Sequence, residues 1–152
     1  MRDPHCVFCK IIAGEIPCHK VYEDDSVLAL LDIGPIAEGH TLVVPKSHAE
    51  RLDAIAAAEG AAIGAVLPRV ARAVLKATGA SDFNVLQNNG ESAGQAVWHV
   101  HFHVIPRHEG TARDDPETPG RGLAFGWPAR DLDHERGAAV AETMRGALQD
   151  EE

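Results

Sequence analysis

The stretch His99-Val100-His101-Phe102-His103-Val104-Ile105-Pro106-Arg107 constrains this chain more than any other. Three histidines alternate with Val100, Phe102 and Val104. Successive side chains of a β-strand point to opposite faces. The alternation therefore predicts a strand with His99, His101 and His103 on one face and the apolar residues turned into a core. A helix would set successive histidines about 200° apart. β-branched and aromatic residues favour the strand, and Pro106 is expected to end it. Imidazole is the usual general base, nucleophile and metal ligand near neutral pH. Three on one rigid element point either to a metal site or to a nucleophilic histidine.

Upstream, Cys6 and Cys9 have the C-x2-C spacing that can present two thiolates to one zinc, or they are a pair of buried thiols. Cys18 lies outside the pair. Val7, Phe8, Ile11 and Ile12 share one helical face, with Gly14 suited to the C-terminal cap. Val21-Tyr22-Glu23, Asp24-Asp25 and Ser26 to Leu31 read as strand, turn and strand. Asp32-Ile33-Gly34-Pro35 breaks the second strand. His40 to Val44 is a third strand, stopped by Pro45. Ile63, Val66, Leu67, Val70, Val74 and Ala77 fall at helical spacing. Pro68 predicts a kink or a helix start there, and Gly79 ends the helix. Phe83 to Gln87 is a fourth strand. Asn88 to Gln95 is a loop rich in turn formers that delivers the chain into the histidine stretch. Residues 108–130 read as a long irregular segment, and Asp131 to Leu148 as a last helix. Strands and helices do not alternate regularly, so the class is α+β with an antiparallel sheet.

The 152 residues suit one domain with a sizeable core. A net charge of -9 argues against a nucleic-acid partner, while leaving room for a small anion at a local site. No segment reads as transmembrane, because charges interrupt the Ala-rich stretch 54–77, so no membrane partner is expected. An odd cysteine count and no signal-peptide pattern place the chain in the reducing cytoplasm.

The run Gly94-Gln95-Ala96-Val97-Trp98 into His99-Val100-His101-Phe102-His103-Val104-Ile105 resembles the histidine triad (HIT) family, whose signature is His-x-His-x-His followed by two apolar residues. Phe8 to Ile12 with Glu15-Ile16-Pro17 is similar to the family's N-terminal segment. Leu31 to Pro35 and His40 to Lys46 are similar to its central strands. The resemblance implies a single HIT domain over 1–152, with a core at 5–107 and a C-terminal extension at 108–152. It implies a HIT-like fold whose five-stranded antiparallel sheet pairs with a second subunit's into ten strands, hence a homodimer. It further implies a hydrolase that binds a purine nucleotide and attacks its α-phosphate through His101, with a nucleotidyl-histidine intermediate.

Carried over by position, Asp32 accepts from the ribose hydroxyls, and Phe8, Ile11, Leu30, Ile33 and Leu42 line the base pocket. Asn88, Gly94, Gln95 and His103 hold the phosphate. The Gly94-Gln95 turn is expected to offer backbone N–H groups to the anion, and Gln95 has no obvious structural duty. Resemblance to metal-bearing members and to galactose-1-phosphate uridylyltransferases adds His48 and His99 to Cys6 and Cys9 as a structural zinc site. His5, His19 and His108 are possible substitutes. Ala96 stands where one branch carries a hydroxyl residue, and Pro106-Arg107 replaces that branch's paired glycines. The substrate is therefore open among phosphoramidates, aminoacyl adenylates and dinucleoside polyphosphates. A nucleotide-binding regulatory module with little turnover is the alternative, and a catalytic zinc held by His101 and His103 a third reading. The segment His108 to Arg130 is expected to act at the rim of the site.

Overall fold

A computed structural model of the chain describes residues 3–108 and 131–149. The sheet is built from β1 (Lys20–Glu23), β2 (Val27–Leu31), β3 (Thr41–Pro45), β4 (Asp82–Gln87) and β5 (Phe102–Arg107). All neighbours are antiparallel, in the order β1-β2-β3-β5-β4. Helices α1 (Val7–Ile12), α2 (Ala57–Thr78) and α3 (His134–Gln149) complete the α+β architecture. Among the described residues, no helix is long and apolar enough to cross a membrane.

The central strands β2 and β3 are buried along their whole length, so they separate two apolar layers. Val27, Ala29, Leu31, Val43 and Val104 pack beneath Ile63, Val66, Val70 and Val74 of α2 and Val140, Met144 and Leu148 of α3. The alternate residues Leu28, Leu30, Leu42 and Val44 face the other way and pack with Cys6, Phe8 and Cys9 around α1. This smaller layer carries the histidines. The period-2 pattern of the strands thus assigns one face to stability and the other to a site.

α2 is longer than its apolar stripe. It runs on through Pro68, which is exposed, so water can satisfy the carbonyl that loses its helical partner. Glu59 Oε2 accepts the Ala56 N–H at 2.9 Å at its start. Gly79 closes it with φ 69°, a left-handed conformation suited to glycine.

The histidine strand is shorter and later than expected. β5 begins at Phe102, so His103 alone of the three lies in it. β3 pairs with β5 only through Thr41↔Val104, Leu42↔His103 and Val43↔Phe102. Farther along β3 stands Pro45, which has no N–H to extend the ladder. Val100 N–H turns instead to Ala49 O at 2.8 Å. Nor does Pro106 end the strand. It pairs with Phe83 of the edge strand β4, while β3 reaches only to Val104, and a residue without an N–H is tolerated where one side is unpaired.

Candidate active site

The three histidines divide at a bend rather than sharing one strand face: His101 and His103 lie together, and Phe8 stands edge-on between them and His99. His99, His101 and His103 are all buried. The Phe8 ring lies edge-on to His99 at 5.8 Å and to His101 at 5.2 Å, and His101 lies 4.9 Å from His103. Each imidazole is held by a different partner, and the partners dictate where its proton sits.

His101 Nδ1 lies 2.6 Å from the backbone oxygen of His99. A carbonyl only accepts, so Nδ1 carries the proton and Nε2 keeps its lone pair. Burial lowers the His101 pKa, so the ring stays neutral near pH 7. His103 is set by a longer chain of bonds. Ile36 N–H donates to His40 Nδ1 at 3.1 Å, so the proton of neutral His40 is on Nε2. That Nε2 lies 2.9 Å from His103 Nδ1, which must accept, so His103 is protonated on Nε2. Burial, reinforced by the neighbouring histidines, pushes the pKa of both His40 and His103 down to about 3. His101 thus carries a lone pair on Nε2 beside a His103 whose Nε2 carries a proton, an arrangement in which one ring can attack and the other donate.

Asp32 serves two purposes. Its Oδ1 accepts the Gly34 N–H at 2.9 Å, a turn role. Its Oδ2 lies 3.6 Å from His40 Nε2 and 4.0 Å from His103 Nδ1. Ile33 beside it is 72% exposed. Phe8, Leu30 and Leu42 are buried against one another, with Ile11 on their margin, so they form core under the site.

Gln95 departs from expectation, because it has a full structural duty. Its Oε1 accepts the Gly90 N–H at 2.7 Å, and its Nε2 donates to Glu50 O at 2.6 Å and to Val97 O at 3.0 Å. Nor does the Gly94-Gln95 turn offer its N–H groups to an anion. Gly94 N–H donates to Glu91 O and Gln95 N–H to Gly90 O. The next two N–H groups, of Ala96 and Val97, bond to no acceptor among the described residues. Gly94 holds φ 82°, and Asn88 Nδ2 lies 3.4 Å from its carbonyl oxygen. His40 lies outside the motif, and the motif includes Ala96 and Val97 without marking their N–H groups. The amides carry no side-chain signal, and His40 reads in the sequence simply as the first residue of a strand.

His99 faces away from this cluster. Its Nε2 donates to Pro45 O at 2.9 Å, so Nδ1 is a bare lone pair. It points at Cys6 Sγ, 3.4 Å away, and Cys9 Sγ, 3.7 Å away, while His48 Nδ1 lies 3.4 Å from Cys9 Sγ. All four ligand atoms fall within 4.8 Å of one another. Tetrahedral zinc with typical Zn–S and Zn–N bonds sets S and N about 3.5 Å apart, so the four residues fit such an ion. Burial raises the Cys6 thiol pKa, and a cation would favour its thiolate. His5, His19 and His108 do not join this group. Residues 109–130, the expected rim, lie outside the described residues.

Comparisons with known proteins give the family. The sequence model of the HIT domain matches residues 13–110, and the chain belongs to the HIT family. It is 41% identical over 143 residues to Adenosine 5'-monophosphoramidase hnt1 of Schizosaccharomyces pombe, covering 94% of this chain and 98% of that protein. It is 49% identical over 104 residues to Adenylylsulfatase HINT3 of Arabidopsis thaliana, covering 68% of this chain but only 53% of that protein. Its structure superposes with a TM-score of 0.78 on a Zn-bound histidine triad family protein from Mycobacterium smegmatis, at 36% identity, covering 96% and 94% of the two chains.

Proposed function

We propose that this chain hydrolyses a purine nucleotide at its α-phosphate, with His101 as the nucleophile. The observation that carries the reading is the 2.6 Å bond from His101 Nδ1 to His99 O, which leaves Nε2 ready to attack. In the first step a bond forms from His101 Nε2 to phosphorus as the bond from phosphorus to the leaving group breaks. In the second, water displaces His101 and releases the nucleoside monophosphate. Two such steps replace one harder displacement. His103 Nε2–H and the Ala96 and Val97 N–H groups are the donors suited to the non-bridging oxygens, each worth about 2.7–4 kcal/mol at comparable sites. Asp32 and Ile33 receive the ribose and the base, and Asn88 and Gly94 shape the phosphate loop. The activity in the S. pombe relative's name makes adenosine 5'-phosphoramidate the first substrate to assay.

Zinc is the ion proposed for Cys6, Cys9, His48 and His99, with a structural role. It would supply a cross-link tying α1 to the histidine bend, and the M. smegmatis relative supports the choice. Free thiols at Cys6, Cys9 and Cys18 fit a reducing cytoplasm. Phe83 and Val85, both exposed on the edge strand β4, are the surface on which a homodimer would close.

The test is His101→Ala with adenosine 5'-phosphoramidate, alongside AMP titration. The variant is expected to bind AMP and lose nearly all turnover. Retention of more than about a tenth of wild-type activity, less than roughly 1.4 kcal/mol of barrier, would overturn the nucleophile. A wild-type chain that binds AMP and turns over neither phosphoramidate nor dinucleoside polyphosphate would leave the binding-module alternative.

A further inference from the structure

The loop from Asp32 to His40, between β2 and β3, carries three groups of the site: the Asp32 carboxylate, the Ile33 side chain and the Ile36 N–H that sets the His40 proton. It contains no helix or strand. Inside the loop, Asp32 N–H donates to His40 O and His40 N–H to Ala37 O. Two further tethers come from the start of α3. Leu132 N–H donates to Ile33 O at 3.0 Å. Arg136 reaches Glu38 Oε1 with both Nε and Nη2, each at 2.8 Å.

These tethers flank the cap of α3. Asp133 Oδ1 accepts the Arg136 N–H at 3.0 Å, and Asp133 O accepts the Gly137 N–H at 2.8 Å. Leu132 folds back over Gly137, where a Cβ would come within 3.3 Å of its methyl groups. Residues 132–137 are therefore bonded and packed together as one cap. A cavity of ≈ 260 Å³ lies between this cap and the loop, lined by Leu31, Pro35, Ile36, Leu132 and Val140 among others. Apolar packing across the joint is incomplete, which leaves the polar tethers to register loop against helix. α3 lies beyond residues 13–110, the span that matches the HIT domain.

We propose that the start of α3, through Leu132 and Arg136, is a positioning element for the histidine relay, holding the loop so that Ile36 N–H stays on His40 Nδ1. The relay makes the consequence specific. If Ile36 withdraws, His40 can carry its proton on Nδ1 and accept on Nε2. The His40–His103 bond then survives only with the proton on His103 Nδ1, and His103 Nε2 becomes a lone pair facing the anion. One backbone bond thus decides whether His103 attracts or repels phosphate. The effect on turnover rests on the function proposed above; the proton positions do not.

The test uses the full chain labelled with 15N-histidine, with proton positions read from long-range 1H–15N correlations and AMP affinity by titration. Wild type is expected to show Nε2–H on both His40 and His103. Arg136→Ala with Leu132→Pro, which removes both tethers, is expected to give mixed proton positions at His40 and His103, unchanged His101, and at least fivefold weaker AMP binding. Exchanging the charges by Glu38→Arg with Arg136→Glu is expected to recover AMP affinity to within twofold of wild type, where Arg136→Ala alone does not. A cooperatively folded tetherless variant with wild-type proton positions and AMP affinity within twofold overturns the proposal. Should that variant not fold, Arg136→Ala indistinguishable from wild type in both readouts overturns it equally. A wild type that binds AMP with these proton positions but turns over no substrate counts against the hydrolase and not against α3.

Discussion

Gln95 offers a sharp quantitative test of the site's construction. It is 5% exposed and makes three bonds, all to backbone, at Gly90, Glu50 and Val97. It therefore joins the loop 88–95 to the segment just after His48. Gln95→Ala removes three bonds worth a net ~0.5–1.5 kcal/mol each. The loop is only half-buried, so water can reach some of the orphaned groups, and the expected cost is about 2–4 kcal/mol. Gln95→Glu is the more telling change. An ionised carboxylate still accepts from Gly90 N–H, but it sets an oxygen against two carbonyl oxygens. The folded state must then bind a proton that the unfolded state releases, so the folded pKa of the new carboxyl rises above its unfolded value of about 4.3. Stability from a raised pKa is fully present below the unfolded pKa and is lost as pH rises through the folded one. Relative to wild type at the same pH, Gln95→Glu is expected to lose about one hydrogen bond near pH 4.5, and more than Gln95→Ala at pH 7.5. Urea unfolding of the three proteins at both pH values measures this. A cost below about 1 kcal/mol for Gln95→Ala, or a Gln95→Glu deficit independent of pH, refutes the reasoning.

Other outcomes follow from the same geometry. Protein purified without chelator is expected to hold one zinc per chain, and Cys9→Ser well under one with faster proteolysis before residue 20; equal metal content in both would refute the Cys2His2 site. Because burial holds His40 and His103 neutral down to about pH 3, their unfolded forms gain protons first as pH falls below about 6.5. Each then costs about 1.4 kcal/mol of stability per pH unit, so a urea midpoint that stays flat from pH 7.5 to 5 contradicts their burial as neutral rings. Light scattering is expected to return twice the 16.2 kDa chain mass, falling to one with Val85→Glu; a monomeric wild type rules out the dimer.

Much of the architecture was legible because it is local. Short apolar runs bounded by turn residues placed β1, β2 and β4 to within a residue or two, the C-x2-C spacing marked the thiol pair, and Gly79 marked the end of α2. The errors came where a partner strand decides the outcome. Nothing near His99 announces that Pro45, 54 residues earlier, cannot continue the ladder, so the alternation predicts a strand that starts three residues before β5 does. Gln95 looked idle because its partners at Glu50 and Val97 meet only after folding.

The same division runs through the histidines. The sequence by itself determined that the imidazoles would stand close along one stretch, that two cysteines would lie three residues apart, and that an apolar layer would back them. Only the tertiary structure decided what each imidazole can do. His99 Nε2–H is committed to Pro45 O, which turns its lone pair to the thiols. His101 gives Nδ1–H to His99 O, which bares Nε2. His103 takes a bond from His40, 63 residues away, and so presents a donor. The physical reason is that an imidazole has two nitrogens and, when neutral, one proton. The hydrogen-bond partner supplied by the fold chooses between them, and residue type alone does not.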